Sequence, residues 1–207
     1  MTELLLASGA HVHAIEIDPL MIIHLERRFP AHAKLTIHQG DVLATDLAQW
    51  GLAALAGNLP YYITSPILDR IRKARLAIRT STLLIQKEVA DRVSAKPKTR
   101  DYGYLTVVTQ SWAEVSHVVH VPPEAFRPAP RVDSSVILLT SRPEIPTDLE
   151  PFLKFAAHAF RQKRKNLRNN LNGIYPQADW EHLPERTLRA EQLNIDELRA
   201  LWRKLSL

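Results

Sequence analysis

Leu52-Ala53-Ala54-Leu55-Ala56-Gly57-Asn58-Leu59-Pro60-Tyr61-Tyr62-Ile63-Thr64-Ser65-Pro66 is the stretch on which the fold turns. Its apolar start, Leu52 to Leu55, predicts a buried strand that ends in Gly57. Its end, Thr64-Ser65-Pro66, predicts a helix start, with a hydroxyl N-cap followed by Pro in the first turn. Asn58-Leu59-Pro60-Tyr61 then lies at the carboxyl end of a parallel strand, which is where open α/β sheets bind ligands.

That tetrapeptide suits methylation of an exocyclic amine. An adenine amino nitrogen is a poor nucleophile because its lone pair is drawn into the ring. Acceptors on its two hydrogens return density to the nitrogen as it attacks. Asn58 offers a side-chain carbonyl. Leu59 offers a backbone carbonyl, and Pro60 after it keeps Leu59 extended. Tyr61 offers an aromatic face to a base drawn out of its stack. The plainer alternative is an Asn/Pro turn with a core tyrosine.

Outward from this stretch, strands and helices alternate. Thr2 to Ser8 predicts a helix stopped by Gly9, and His11 to Asp18 a strand. Pro19 opens a helix with Met21, Ile22, Leu25 and Phe29 on one face. Leu35 to Val42 predicts a second strand. After Asn58 come a helix over Pro66 to Ala74, a strand over Thr82 to Gln86, and a helix carrying Glu88, Val89 and Val93. A basic loop, Lys96 to Tyr102, and a helix over Leu105 to Trp112 follow. Val115 to Val121 and Val132 to Thr140 predict two antiparallel strands. This is the pattern of an α/β, doubly wound sheet, Rossmann-like, with helices on both faces. Residues 1–142 form that domain, 143–151 a Pro-rich connector and 152–207 a small all-helical domain.

The composition excludes several classes. There is no cysteine among the 207 residues, so neither a disulfide framework nor a Cys-based metal site is available. The start lacks a basic, signal-like segment, and no apolar run is long enough to span a bilayer. A cytoplasmic protein without membrane partners is expected. Hydrophobic residues make up 45% of the chain, ample for a core, and the formal net charge of +5 favours a polyanionic partner.

Acids close two successive strands: Glu16 and Asp18 the first, Asp41 the next. Such a residue at a strand tip of a nucleotide-binding sheet accepts from ribose hydroxyls, and Asp41 is placed to accept from an adenine amino group. No two of the six glycines stand close enough to make a phosphate-type loop. Four prolines around Phe126 fix where that ring points, across from Tyr61 on a flipped base or tucked into the core. Arg161-Gln162-Lys163-Arg164-Lys165-Asn166-Leu167-Arg168 is the densest charge, with no acid between Pro151 and Asn170. It predicts a helix with Leu167 and Leu171 as its apolar pair and its cations free for phosphates. The histidines show no metal-ligand spacing; His11 and His13 are read as strand residues, and no metal is expected.

Asn58 to Tyr61 with Thr64-Ser65-Pro66, then Gln86-Lys87-Glu88-Val89, then the Phe126 segment with Val132-Asp133-Ser134, then Gln162 to Lys165 with Arg168-Asn169, resemble the rRNA adenine dimethyltransferases over essentially the whole chain. The resemblance implies a class I methyltransferase using S-adenosylmethionine. It implies dimethylation of two adjacent adenines in the 3′-terminal hairpin loop of small-subunit rRNA, linked to ribosome biogenesis, by a protein expected to be a monomer. It implies that Glu16 holds the cofactor ribose and Asp41 its adenine, and that Asn58 and the Leu59 carbonyl hold the target amine. It further implies that Tyr61 and Phe126 stack on the base, and that Arg161, Lys163, Arg164, Lys165 and Arg168 meet RNA phosphates. Against the family pattern the chain begins just after a Gly-rich cofactor loop. A gap in the sheet, between the strands ending at Glu16 and Asn58, and a weakened methionine cradle are therefore expected. Two other readings stay open: an Erm-type methyltransferase of large-subunit rRNA, and a non-catalytic RNA-binding assembly factor.

Overall fold

The computed structural model describes residues 1–206. Among these residues six strands form two groups: β1 (Val12–Glu16) pairs in parallel with β2 (Leu35–Gln39), and β3 (Ala53–Asn58) opens a four-stranded sheet. In that sheet β3 runs parallel to β4 (Ile78–Gln86), which pairs antiparallel with β6 (Ser134–Ser141), and β6 pairs antiparallel with β5 (Ala113–Val121). Among the described residues no ladder joins β1 to β3. The break falls where the sequence predicts a gap. The chain thus has the α/β, Rossmann-like architecture expected of it.

Among the described residues eight α-helices accompany the strands. They are α1 (Thr2–Ala7), α2 (Pro19–Arg28), α3 (Thr64–Lys73), α4 (Lys87–Val93), α5 (Tyr104–Gln110), α6 (Leu149–Ala159), α7 (Leu167–Leu171) and α8 (Ile195–Leu205). α2 starts as its sequence predicts, with Pro19 in the first turn and the Asp18 carboxylate accepting from Leu20 N–H at 2.8 Å. The core is continuous. Ile67 and Ile71 of α3, Leu83 and Ile85 of β4, and Ile137 and Leu139 of β6 belong to the same buried cluster as Phe152 of α6 and Leu198 of α8.

Several boundaries differ from expectation. β2 stops at Gln39 rather than Val42 because the Asp41 carboxylate accepts from Leu43 N–H at 2.8 Å, which turns the chain. β4 starts at Ile78 rather than Thr82, since β3 and β6 supply ladder partners ahead of its apolar run. Thr64 is not an N-cap. A 3₁₀ turn over Tyr61–Ile63 precedes α3, and the Thr64 hydroxyl instead donates back to the Pro60 and Tyr61 carbonyls, both at 3.3 Å. α6 begins at Leu149, inside the expected connector. Pro151 sits in its first turn, where the missing N–H has no partner to lose.

Candidate active site and nucleic-acid interface

Asn58 is the last residue of β3 and is exposed. Leu59 follows it into the core, at 8% exposure, and its N–H donates to the Leu84 carbonyl of β4 at 3.0 Å. Gly57 makes this approach possible: a Cβ there would lie 2.9 Å from Leu59 Cδ2. Among the described residues nothing hydrogen-bonds the Asn58 side chain, and no donor reaches the Leu59 carbonyl. Pro60 is extended, with φ −59° and ψ 129°. Two unused acceptors on consecutive residues therefore lie at the carboxyl end of β3, where the Leu59 N–H ties the chain to β4.

The two tyrosines that follow part company. Tyr61 is half-buried, and its hydroxyl lies 2.7 Å from Ser134 Oγ. Tyr62, on the same turn, is 87% exposed. Phe126 is half-buried at the end of a 3₁₀ turn over Pro123–Ala125, and among the described residues it makes no ring-to-ring contact with Tyr61. An open cavity nearby in the sheet is lined by Gln86 to Glu88 at the end of β4 and by Pro123 and Arg131 to Asp133 ahead of β6; neither Tyr61 nor Phe126 is among its lining residues. Lys87, at its edge, stays cationic: its hydrogen bond to Asp91 at 2.5 Å, and the charge of that carboxylate, hold its pKa above the ordinary lysine value.

Glu16 and Asp41 come together at one end of the β1–β2 pair, where Gly40 N–H donates to the Glu16 carbonyl at 2.9 Å. One oxygen of Glu16 accepts from the Ile17 and Asp18 N–H groups at 2.8 and 2.9 Å. One oxygen of Asp41 accepts from Leu43 N–H. Each carboxylate is thus oriented by the main chain with its second oxygen free to accept. Further back on the same strands, His13 Nδ1 and His38 Nε2 lie 3.0 Å apart, with Trp50 4.9 Å from both rings. Burial, then His38 and His11, lower the His13 pKa. Among the described residues no three His, Cys, Asp or Glu side chains gather closely enough to hold a metal ion. Nor, among the described residues, is any helix long and apolar enough to cross a membrane.

The basic segment is not one helix. Arg161 to Asn166 form an irregular turn between α6 and α7, and only Leu167–Leu171 is helical. The reason is the asparagines. Asn166 caps α7, accepting from Asn169 N–H at 2.9 Å. The Asn170 amide donates to the Ala159 and Gln162 carbonyls at 2.9 and 3.2 Å. Side chains thereby satisfy the groups that an unbroken helix would pair internally. Leu167 and Leu171 are both buried, as their spacing predicts.

Not all of the predicted cations are free. Arg168 pairs with Glu181 at 2.7 Å. Lys163 donates to the Arg100 carbonyl at 2.6 Å and lies 3.7 Å from Glu191. The sequence shows no acid nearby, but the fold brings two. The Lys163 contact also draws in the basic loop Lys96 to Tyr102, which sequence reasoning left without a role. Lys96, Lys98 and Arg100 are exposed there, and Arg161, Arg164 and Lys165 are exposed on the turn. Ser134 was likewise missed as a partner of Tyr61; its place in Val132-Asp133-Ser134 was the only signal.

An α/β fold with an Asn-Leu-Pro-Tyr turn at a parallel strand's end, and acids at the tips of two further strands, defines a Rossmann-like methyltransferase. The sequence model of the family "Ribosomal RNA adenine dimethylase" matches residues 1–201. The ribosomal RNA small subunit methyltransferase A of Chromobacterium violaceum is 41% identical over 203 residues, covering 95% of this chain and 77% of that protein. The protein of the same description from Aromatoleum aromaticum is 38% identical over 206 residues, covering 97% of this chain and 77% of the relative. A dimethyladenosine transferase from Plasmodium falciparum superposes with a TM-score of 0.80 at 23% identity, covering 95% of this chain and 83% of that one. The 23S rRNA methyltransferase ErmE superposes at 0.69 and 27% identity, covering 95% and 82%. The chain belongs to the ribosomal RNA adenine dimethylase family and is by family an rRNA adenine methyltransferase.

Proposed function

We propose that this protein dimethylates two adjacent adenines in the 3′-terminal hairpin loop of small-subunit rRNA, with S-adenosylmethionine as methyl donor, as a step in ribosome biogenesis. One observation carries the reading: the Asn58 carboxamide and the Leu59 carbonyl are unpaired at the tip of β3, beside Tyr61. The small-subunit relatives, at 41 and 38% identity, favour that rRNA over the large-subunit substrate in the ErmE description.

The residues present fit the cofactor's adenosine half. Glu16 and Asp41 each keep one carboxylate oxygen free, which suits ribose hydroxyls and an adenine amino group respectively. S-adenosylmethionine, when bound, supplies an electrophilic methyl group on a sulfonium. Asn58 Oδ1 and the Leu59 carbonyl accept from the two hydrogens of the target amine, aim its lone pair, and offset the positive charge that grows on nitrogen. One proton leaves the nitrogen for water with each transfer, so in the second transfer a single N–H remains for these acceptors. Tyr61 and Phe126 bound the base on its two faces. The exposed cations of Arg161 to Lys165, joined by those of Lys96 to Arg100, hold the RNA backbone. In this reading residues 1–142 carry the chemistry and 152–207 help dock the RNA.

The test is Asn58→Ala, assayed by single-turnover methyl transfer to small ribosomal subunits lacking dimethyladenosine, with the protein in excess. Loss of one well-placed transition-state contact costs on the order of 100-fold in rate or more, while RNA affinity stays near the parent's. Turnover within a few-fold of the parent would remove Asn58 from the mechanism.

A further inference from the structure

We infer that Ser134 is a positioning residue, acting through Tyr61 to set the width of the slot that receives the target adenine; this rests on the function proposed above. The Tyr61 hydroxyl and Ser134 Oγ are 2.7 Å apart and 73 residues apart in sequence. Ser134 is fully buried and opens β6, where it faces Gln86 of β4 on one side and Val121 of β5 on the other. The residue before it is fastened as well, since Lys87 N–H donates to the Asp133 carbonyl at 2.9 Å. Ser134 is therefore a fixed point.

Tyr61 is not fixed by packing. It belongs neither to the buried cluster nor to the partly buried residues packed against that cluster. Its turn is pinned through the main chain, by Leu59 N–H on the Leu84 carbonyl and by the Thr64 hydroxyl. Those contacts leave the ring's own torsions open, and the hydroxyl bond closes them. Phe126 stands in the segment that joins Val121, the last residue of β5, to Ser134, the first residue of β6, and those two residues are paired in the ladder. Both walls of the slot are thus referenced to one serine, and losing the hydroxyl pair frees one wall while leaving the other in place.

The experiment uses the full chain and two hairpin RNAs: one with adenine at the target for the methyl-transfer rate, and one with 2-aminopurine there, which lacks the 6-amino group and reports stacking by quenching of its fluorescence. Tyr61→Phe, Ser134→Ala and the double variant are compared for quenching, single-turnover rate, RNA affinity and thermal midpoint. Each single change should weaken the quench and slow transfer by roughly fivefold, the factor equivalent to one ordinary hydrogen bond. The double should do no worse than either single, with RNA affinity and thermal midpoint unchanged. Additive losses, or a Ser134→Ala protein with the parent's quench and rate, would overturn the assignment. If Ser134→Ala lowers the thermal midpoint, the isosteric Tyr61→Phe decides: a parental quench there also overturns it. Because quenching needs no chemistry, a failed Asn58→Ala test leaves this result readable. A parent protein that never draws the probe out of the loop removes both proposals together.

Discussion

Arg72 offers a sharp test of how α3 is joined to α6. Its side chain is 5% exposed, while its partners Asp69 and Glu150 are 41 and 58% exposed. The guanidinium donates to Asp69 Oδ1 at 2.8 and 3.1 Å and to Glu150 Oε1. Burial works against its charge, but its hydrogen bonds to Asp69 and Glu150, and the charges of those carboxylates, hold its pKa above the ordinary value. The cost of breaking the cluster should then depend on which side is removed. Asp69→Ala with Glu150→Ala strands a buried cation, which costs about 3–5 kcal/mol. Arg72→Met leaves two carboxylates that water can reach, and the Met stem keeps the packing. Half-exposed pairs contribute at most about 1 kcal/mol each, so that variant should lose about 1–2 kcal/mol. Urea unfolding at pH 7 separates the two by more than the error of the extrapolation. An Arg72→Met cost equal to or above that of the acid pair would refute the reasoning, because the arginine would then owe its place to packing.

Three further outcomes are expected. Changing Arg164 and Lys165 to Glu should weaken rRNA binding and reduce its log–log salt slope by roughly 0.7 to 0.9 per lost phosphate contact; an unchanged slope would put the basic turn in solvent. The Tyr102 hydroxyl is buried, at 1% exposure, without a partner among the described residues, and burial pushes its pKa up to about 12. Tyr102→Phe should therefore be neutral or stabilising by up to about 1 kcal/mol in thermal melts, and a clear loss would reveal an unseen partner. Asp69 has a depressed pKa: burial opposes its charge, but hydrogen bonds from Lys73 and Arg72 outweigh that. Its contribution is present above the unfolded value of about 4 and is lost as pH falls through the lower folded value. Asp69→Asn should flatten the acid limb of stability against pH.

The strand-to-turn-to-helix path around Asn58 was legible because apolar runs, Pro and Gly are local signals. So was the antiparallel pairing of β5 with β6, from two β-branched runs after the helix predicted over Leu105 to Trp112. The basic segment misled because helical spacing of Leu167 and Leu171 is also satisfied by a helix that starts only at Leu167. What stops it there is Asn170 reaching back to the Ala159 carbonyl, a contact with no periodic signature. The partners of Arg168 and Lys163 come from Glu181 and Glu191, which lie beyond the window in which the acid-free run was counted. Ser134 stood in view, but a hydroxyl pair spanning 73 residues is fixed by strand order, which no short motif encodes.

The separation of β1–β2 from the four-stranded sheet divides the molecule into parts of unequal persistence. A lone parallel pair of short strands is marginal in water, and α2 beside it contributes no fully buried residue. β4, by contrast, has a ladder on each side. Val12–Glu16 should open far more often than β4, as a local event that spares the rest. Glu16 and Asp41 ride on that looser part and Asn58 on the firmer one. A molecule that grips all three has to quiet one half of its own binding site, and its arrival would be recorded first as slowed amide exchange along β1.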